Sequence, residues 1–435
     1  MAAFCSQFLA TNVAITNSKQ IRFTKFLRLA ARGTMFARSN TVPTWKAHLT
    51  YHPPMWGIQQ SSYEDVEAEL NILRNRHLDK QILFVGGDGL SVIRVNWLLQ
   101  KHPDLYIDSS PLIIPVQGEA PHGVFHVMHA GWRLYLRFIR KCALFLDPHG
   151  ANINKQVVDD PLVRDFNNSM HFMYRMTRAC SEYLVHISGT PGGIDIDAPN
   201  DFIESCEQNI DLKWLVHFLF DFAFMLMEFK HAVRENRSAD IDLLWREFLH
   251  LGRPNTSNKN LYCPMAIMRL FWSDAMRPEL KHLYDEMRSI PMTYNPGARV
   301  GWDTPVEWLN GAITEGVQIR ISEERIERFV ARFALLSANE DVMRASLHPK
   351  DGNSAKMKSL DNDVALLKGF FMDRIGSTWF EATRQNDDSE LGIGRGVPPW
   401  EEMHTKSHQA GNDSVPYYVA EVVRRYTSSY FVFDP

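Results

Sequence analysis

The 435-residue sequence predicts an α/β protein with a large helical part. Two short apolar segments that contain β-branched residues, Ile82–Val85 and Leu112–Val116, alternate with segments of helical periodicity. This order is typical of parallel strands joined by helices. From about residue 161 to residue 289, helical periodicities rich in Phe, Met, Leu and Trp dominate, which predicts a helical insertion.

The composition excludes several classes of protein. With 45% hydrophobic and 23% charged residues, the chain is neither disordered nor collagen-like. Five scattered cysteines without a CxxC pair indicate free thiols in a reducing compartment, not a disulfide framework or a zinc ribbon. The formal net charge of −4 gives no overall basic excess for nucleic acid binding.

Residues 1–62 form a basic segment without any acid, and the first acidic residue is Glu64. The seven cations of this segment leave forty basic against 51 acidic residues in the remainder, a net charge of −11. The stretch Ile21–Arg38 predicts an amphipathic helix. Three interpretations stay open: an organelle transit peptide, a basic arm that contacts phosphates, or a wrongly assigned gene start.

The most apolar stretch, Trp214–Phe229, is 16 residues long and contains His217 and Asp221. Because a bilayer requires about 20 apolar residues, we expect a buried core helix and no membrane span.

The remaining periodicities complete the domain organisation. Helices are predicted over 63–76, 92–99, 132–145, 306–314, 323–336 and 364–373, with polar loops over 349–363 and 385–413. The predicted units are 1–62 (basic arm or transit-like segment), 63–150 (first part of the α/β core), 151–300 (helical insertion), 301–384 (helical completion of the core) and 385–435 (loop-rich tail with one helix).

The first candidate site is the loop Gly86-Gly87-Asp88-Gly89, which follows the first predicted strand. An acid at the carboxyl end of a strand is placed to bind a metal or a phosphate. The loop is also similar to the glycine-rich nucleotide loop of NAD and diacylglycerol kinases. The structural alternative is a turn in which Asp88 caps the next helix.

Two further patterns carry candidate residues. His122, His126 and His129 can share a metal only if their segment is helical; phosphate contact and a core position are the alternatives for His126. Later, Thr304 and Glu307 fit a capping box with Pro305 at the first helical position. The functional alternative is that Glu307 and Asn310 present one polar face to a site.

Three short motifs together resemble a eukaryotic transposon-derived family related to cut-and-paste (DDE-type) transposases. They are Gly87-Asp88-Gly89-Leu90-Ser91, Gly123-Val124-Phe125-His126 and Val306-Glu307-Trp308-Leu309-Asn310, and the likeness spans roughly residues 80–340. The resemblance implies an RNase H-like fold, with a mixed sheet as its core, interrupted by the helical insertion.

The resemblance also implies a two-metal site for DNA cleavage or strand transfer. Asp88 and Glu307 would bind Mg²⁺ or Mn²⁺, and His126 would contact the scissile phosphate. Asn310, Arg133 and Arg137 would bind substrate; a solvated face is the alternative for the arginines. The expected partner is DNA, and the expected compartment is intracellular: the nucleus, or the mitochondrion if the basic start is a transit peptide.

The sequence departs from this family at two places. No aspartate precedes Asp65, although the family would place a catalytic aspartate on a strand well upstream. Val124 stands where relatives often have an acid, and Glu119 is the nearest substitute ligand. The chain is therefore interpreted as a transposase derivative whose nuclease activity is retained, or lost through truncation or decay. A nucleotide or lipid kinase and a non-catalytic interaction protein are the alternatives.

Overall fold

The computed structural model describes residues 12–35, 62–87, 89–106, 110–117, 122–146, 166–252, 278–291, 299–301, 353–386 and 391. Of these residues, 76% are helical. The strands that they contain form one parallel pair and one short antiparallel pair. The predicted α/β order is therefore found in its coarse form, whereas an RNase H-like mixed sheet is not shown by this part of the chain.

Helices outnumber strands along the described chain. The helices are α1 (Asn12–Ala31), α2 (Tyr63–Arg76), α3 (Gly89–Lys101), α4 (Pro103–Tyr106), α5 (His122–Leu134), α6 (Leu136–Leu146), α7 (Phe166–Ser188), α8 (Pro199–Cys206), α9 (Ile210–His217), α10 (Phe224–Glu235), α11 (Ser238–Gly252), α12 (Pro278–Met287), α13 (Asn353–Arg374) and α14 (Trp379–Ala382). The strands are β1 (Ile82–Gly87), β2 (Leu112–Gln117), β3 (Ser289–Pro291) and β4 (Arg299–Gly301).

Local sequence signals account for the first α/β unit. The Ser62 hydroxyl accepts a hydrogen bond from the Asp65 backbone N–H, and the Asp65 carboxylate accepts one from the Ser62 backbone N–H, which completes a capping box at the start of α2. The apolar strands β1 and β2 then pair in parallel, with Ile82 opposite Leu112 and Gly87 opposite Gln117. Helix α3 connects them, as a parallel pair requires.

The helical core is built around α7, which packs against α13 and α1. The apolar stretch predicted as one core helix is divided into α9, a π-helical segment (Phe218–Ala223) and α10. Phe218, Leu219 and Phe222 of the π-helical segment are fully buried, so the core interpretation of this stretch is confirmed. Among the described residues, no helix combines the length and the apolarity needed to cross a membrane.

Helix α1 is part of this core. Phe23, Phe26 and Leu27 are at most 1% exposed, and the ring of Phe26 stacks on that of Phe224 with centroids 4.9 Å apart. The helix occupies residues 12–31, whereas the sequence predicted 21–38. The apolar side chains of α1 therefore fill a groove in the helical layer.

One predicted loop is wrong. Residues 349–363 were predicted as a polar loop, but α13 begins at Asn353. The polar residues of its first half are stabilised by tertiary contacts, since Asp361 and Asp363 form ion pairs with Arg178 and Arg175 of α7. These pairs join positions about 180 residues apart, which a local pattern does not show.

Candidate functional site

The first candidate site lies where β1 and β2 end. The two strands pair in parallel, so their carboxyl ends lie next to each other at one edge of the sheet. Gly87 and Gln117 are paired neighbours at the ends of the two strands. Helix α3 begins two positions after Gly87, and α5 begins five positions after Gln117. The free backbone N–H groups at the start of α3, which follows β1 after one residue, favour an anion.

The predicted carboxylates themselves lie outside the described residues. Asp88 falls between Gly87, the last residue of β1, and Gly89, the first of α3. Glu119 falls between β2 and α5. Glu307 and Asn310 belong to the stretch 302–352, which the structure does not describe. The convergence of Asp88 and Glu307 accordingly stays a prediction.

His126 lies in α5, and the structure buries it. It is 4% exposed, and its ring meets the Phe125 ring edge-on, with centroids 5.8 Å apart. His129, one turn later, is 3% exposed and stacks on the same phenylalanine. The segment is helical, as a shared metal would need. Within the part of the chain that the structure describes, however, no three His, Cys, Asp or Glu side chains are arranged to hold a metal ion.

Arg133 and Arg137 follow His126 and His129 along the same helical rod and are exposed to solvent. Helices α5 and α6 are joined at Tyr135, where the backbone hydrogen bonds of a helix continue. Arg133, Arg137 and Lys141 recur every four residues and are all exposed. None of the three forms an ion pair with a carboxylate of the described residues. They form a cationic face, which we call the α5–α6 basic face.

The structure also contains a cluster of charges that the sequence patterns did not reveal. We call it the α1 ion-pair cluster; its members are Lys19, Arg22 and Lys25 of α1 together with Asp221, Glu228 and Glu247. The Lys19 ammonium lies 2.7 Å from an oxygen of Asp221 and 4.0 Å from one of Glu247. Arg22 also donates to Glu247, and Lys25 lies 2.9 Å from Glu228.

The pKa values of Asp221 and Glu228 are both lowered, which favours the ionised form of these two acids. Burial raises the pKa of Asp221, but the Lys19 charge and the hydrogen bond with His217 outweigh it and hold the pKa well below its ordinary value. Burial likewise raises the pKa of Glu228, and Lys25 with Arg237 outweighs it, so that the pKa is lowered. This cluster fixes the position of α1.

The sequence contains a signal for this cluster, but its parts lie in segments that are far apart along the chain. Lys19, Arg22 and Lys25 recur at helical spacing within an apolar helix, and Asp221 and Glu228 interrupt apolar helices. A charge placed among buried positions requires a partner of opposite charge. Each pattern alone indicates that a partner exists, and only the fold shows which residue it is.

The chain was compared with family models, curated proteins and solved structures, and none of them matches it.

Proposed function

We propose that the chain is a transposase-derived protein that acts on the phosphodiester backbone of DNA through the carboxyl edge of β1 and β2. The supporting observation is the parallel pairing that ends at Gly87 and Gln117. Asp88 directly follows the first of these residues and Glu119 is two positions beyond the second. Neighbouring strands are about 4.8 Å apart, so the last residues of the two strands, which precede both acids in the sequence, lie side by side.

The donor set suits a divalent metal. Carboxylate oxygens are the ligands that Mg²⁺ and Mn²⁺ prefer. Asp88 and Glu119 would hold the ion, and Glu307 would complete the set as the RNase H-like resemblance implies. Such an ion, when bound, activates an oxygen nucleophile and stabilises the leaving oxygen.

The other candidate residues have separate parts in this proposal. Arg133 and Arg137, on the exposed α5–α6 basic face, would contact the phosphates of a bound duplex. Asn310 would contact the substrate. The burial of His126 favours a packing role over direct contact with the phosphate. Such a protein would work in the nucleus, or in the mitochondrion if the basic start is a transit peptide.

The test is cleavage of end-labelled DNA in Mg²⁺ or Mn²⁺ by the wild type, Asp88→Ala and Glu307→Ala. We expect each variant to lose at least about 100-fold in rate, because each removes a metal ligand. Asp79→Ala is the matched control, since Asp79 is exposed just before β1, at the other end of the strand. Equal rates in all four proteins would contradict the proposal.

The same edge supports a second candidate, a nucleotide-binding enzyme. The glycine-rich loop passes from β1 into α3 with one residue between them. A loop of this kind at the amino end of a helix can bind a phosphate group. Binding of ATP without cleavage of DNA would favour this candidate. Neither binding nor cleavage would favour an interaction protein without catalysis.

A further inference from the structure

Lys230 of α10 lies partly buried against α7. Its ammonium nitrogen is 2.5 Å from the Tyr174 hydroxyl oxygen and 4.9 Å from the centre of the Tyr174 ring. Both side chains keep part of their surface exposed, and the hydrogen bond between them is only partly buried. The ring of His171 in turn meets Tyr174 on the α7 side.

The charge around Lys230 is not compensated. Lys19 and Lys25 each face a carboxylate, but Lys230 forms no ion pair with any carboxylate of the described residues. The charged residue that acts on it is Arg234, one helical turn later and likewise without an ion pair in this part of the chain. A partly buried ammonium beside a second cation is destabilised relative to the neutral amine.

The acid–base chemistry follows from this placement. Burial, together with the Arg234 charge, lowers the pKa of Lys230 to about 8. Burial raises the pKa of Tyr174 to about 12, so its phenol stays protonated. Near neutral pH a substantial fraction of Lys230 is therefore an amine whose lone pair is free to react, with a hydroxyl donor beside it.

We propose that Lys230 is a nucleophile that forms an imine with aldehydes that carry an anionic group. Proteins activate a lysine amine by removing it from water and by placing another cation next to it. Arg234, whose guanidinium has no carboxylate partner in the described chain, would bind the anionic group. Residues four apart on a helix are about 5–6 Å apart at their Cβ atoms, which suits a short aldehyde acid such as glyoxylate.

The reaction is balanced without an oxidant or a reductant. The amine lone pair attacks the carbonyl carbon, a C–N bond forms, and the carbonyl π electrons move to oxygen, which the Tyr174 hydroxyl stabilises by hydrogen bonding. The carbinolamine then loses water as the C–O bond breaks and the C=N bond forms. Both hydrogens of the water come from the amine, and Tyr174 ends the reaction unchanged.

The experiment uses the full chain, glyoxylate and cyanoborohydride, which reduces the imine and makes the label permanent. Labelling at each lysine is measured by peptide mass spectrometry between about pH 6 and pH 10. We expect the labelling rate of Lys230 to be half-maximal near pH 8. At about pH 7.5 we expect it to exceed that of Lys141, an exposed lysine on α6, by at least about tenfold. A rate at Lys230 equal to or below that of Lys141 would overturn the proposal.

Three variants separate the parts of the site. Lys230→Arg should remove this label alone. Arg234→Gln should move the pH midpoint upward and abolish the preference for glyoxylate over the neutral probe acetaldehyde. Tyr174→Phe should slow labelling without moving that preference. An unchanged midpoint and preference in Arg234→Gln would contradict the role of Arg234, and circular dichroism shows whether each variant is folded. Because the wild-type profile requires no DNA and no metal, its outcome is independent of the proposed nuclease.

Discussion

The Lys19 side chain in the first helix donates a 2.7 Å hydrogen bond to Asp221, which is 202 positions later in the chain. His217 contacts the other oxygen of the same carboxylate at 2.9 Å. Asp221 belongs to the π-helical segment, where the regular helical hydrogen-bond pattern is interrupted. The pair therefore connects the basic start of the chain to the least regular turn of its core.

Replacement of Lys19 by methionine should strongly destabilise the protein. The change leaves Asp221 buried without its closest cation, and removing one partner of a buried pair costs about 3–5 kcal/mol in the free energy of unfolding. Urea denaturation measures this loss in the free energy of unfolding. Arg28→Met is the control, because the Arg28–Asp197 pair is exposed, and it should leave the urea midpoint unchanged. If the urea midpoint shifted equally in the two variants, burial of the Lys19–Asp221 pair would not contribute to the free energy of unfolding.

Deletion of residues 1–35 should open the helical core. Phe23, Phe26 and Leu27 fill a groove in it, so their loss exposes apolar surface. We expect strong binding of a hydrophobic dye and a broad unfolding transition. Deletion of residues 1–11, which keeps α1, should bind little dye; a 1–35 deletion that unfolds cooperatively and binds no dye would show that α1 is dispensable.

The protein should lose stability in acid through Glu228. Its pKa in the folded state is below the ordinary value of 4.5, so it stabilises the fold fully above about pH 4.5, and this contribution disappears as the pH falls through the folded-state pKa. Glu228→Gln should be less stable at neutral pH and should show a shallower decline below pH 4.5 in urea titrations. Glu204→Gln, at an exposed position on α8, should follow the wild-type curve.

Gly131 in α5 should tolerate no side chain. A Cβ atom placed there would overlap the ring of Phe222 in the π-helical segment. We expect Gly131→Ala to destabilise the protein by about 1–3 kcal/mol or more through overpacking. In Gly369→Ala on α13 the added methyl group has open space around it, and this control should stabilise the helix by about 0.5–1 kcal/mol. Thermal unfolding of the two variants should shift in opposite directions.

Local patterns were sufficient wherever the deciding interactions are local. Helix α2 and the alternation of β1, α3 and β2 were predicted from adjacent residues. The predicted start of α13 was wrong because acidic residues of this helix form ion pairs with arginines of α7. The α1 ion-pair cluster was not predicted because its partners are about 200 residues apart.

The same distinction between local and long-range interactions applies to the candidate site. The position of Asp88 immediately after a strand was predicted, and the strand ends at the residue before it. The sequence did not determine whether His126 is buried. One face of a helix packs against the core, and which face does so depends on the elements that contact it. The meeting of Asp88 and Glu307 requires chain closure over more than 200 residues, which no local pattern determines.

The distance in sequence between Lys19 and Asp221 also has a consequence for the growing polypeptide. At about 5–20 residues per second, a ribosome needs about 10–40 s to make the partner after the lysine. During that time the aromatic side chains of the helix have no completed core to pack against, and exposed apolar surface of this kind promotes aggregation. Shielding of the helix until Asp221 has been made would therefore favour the native pairing.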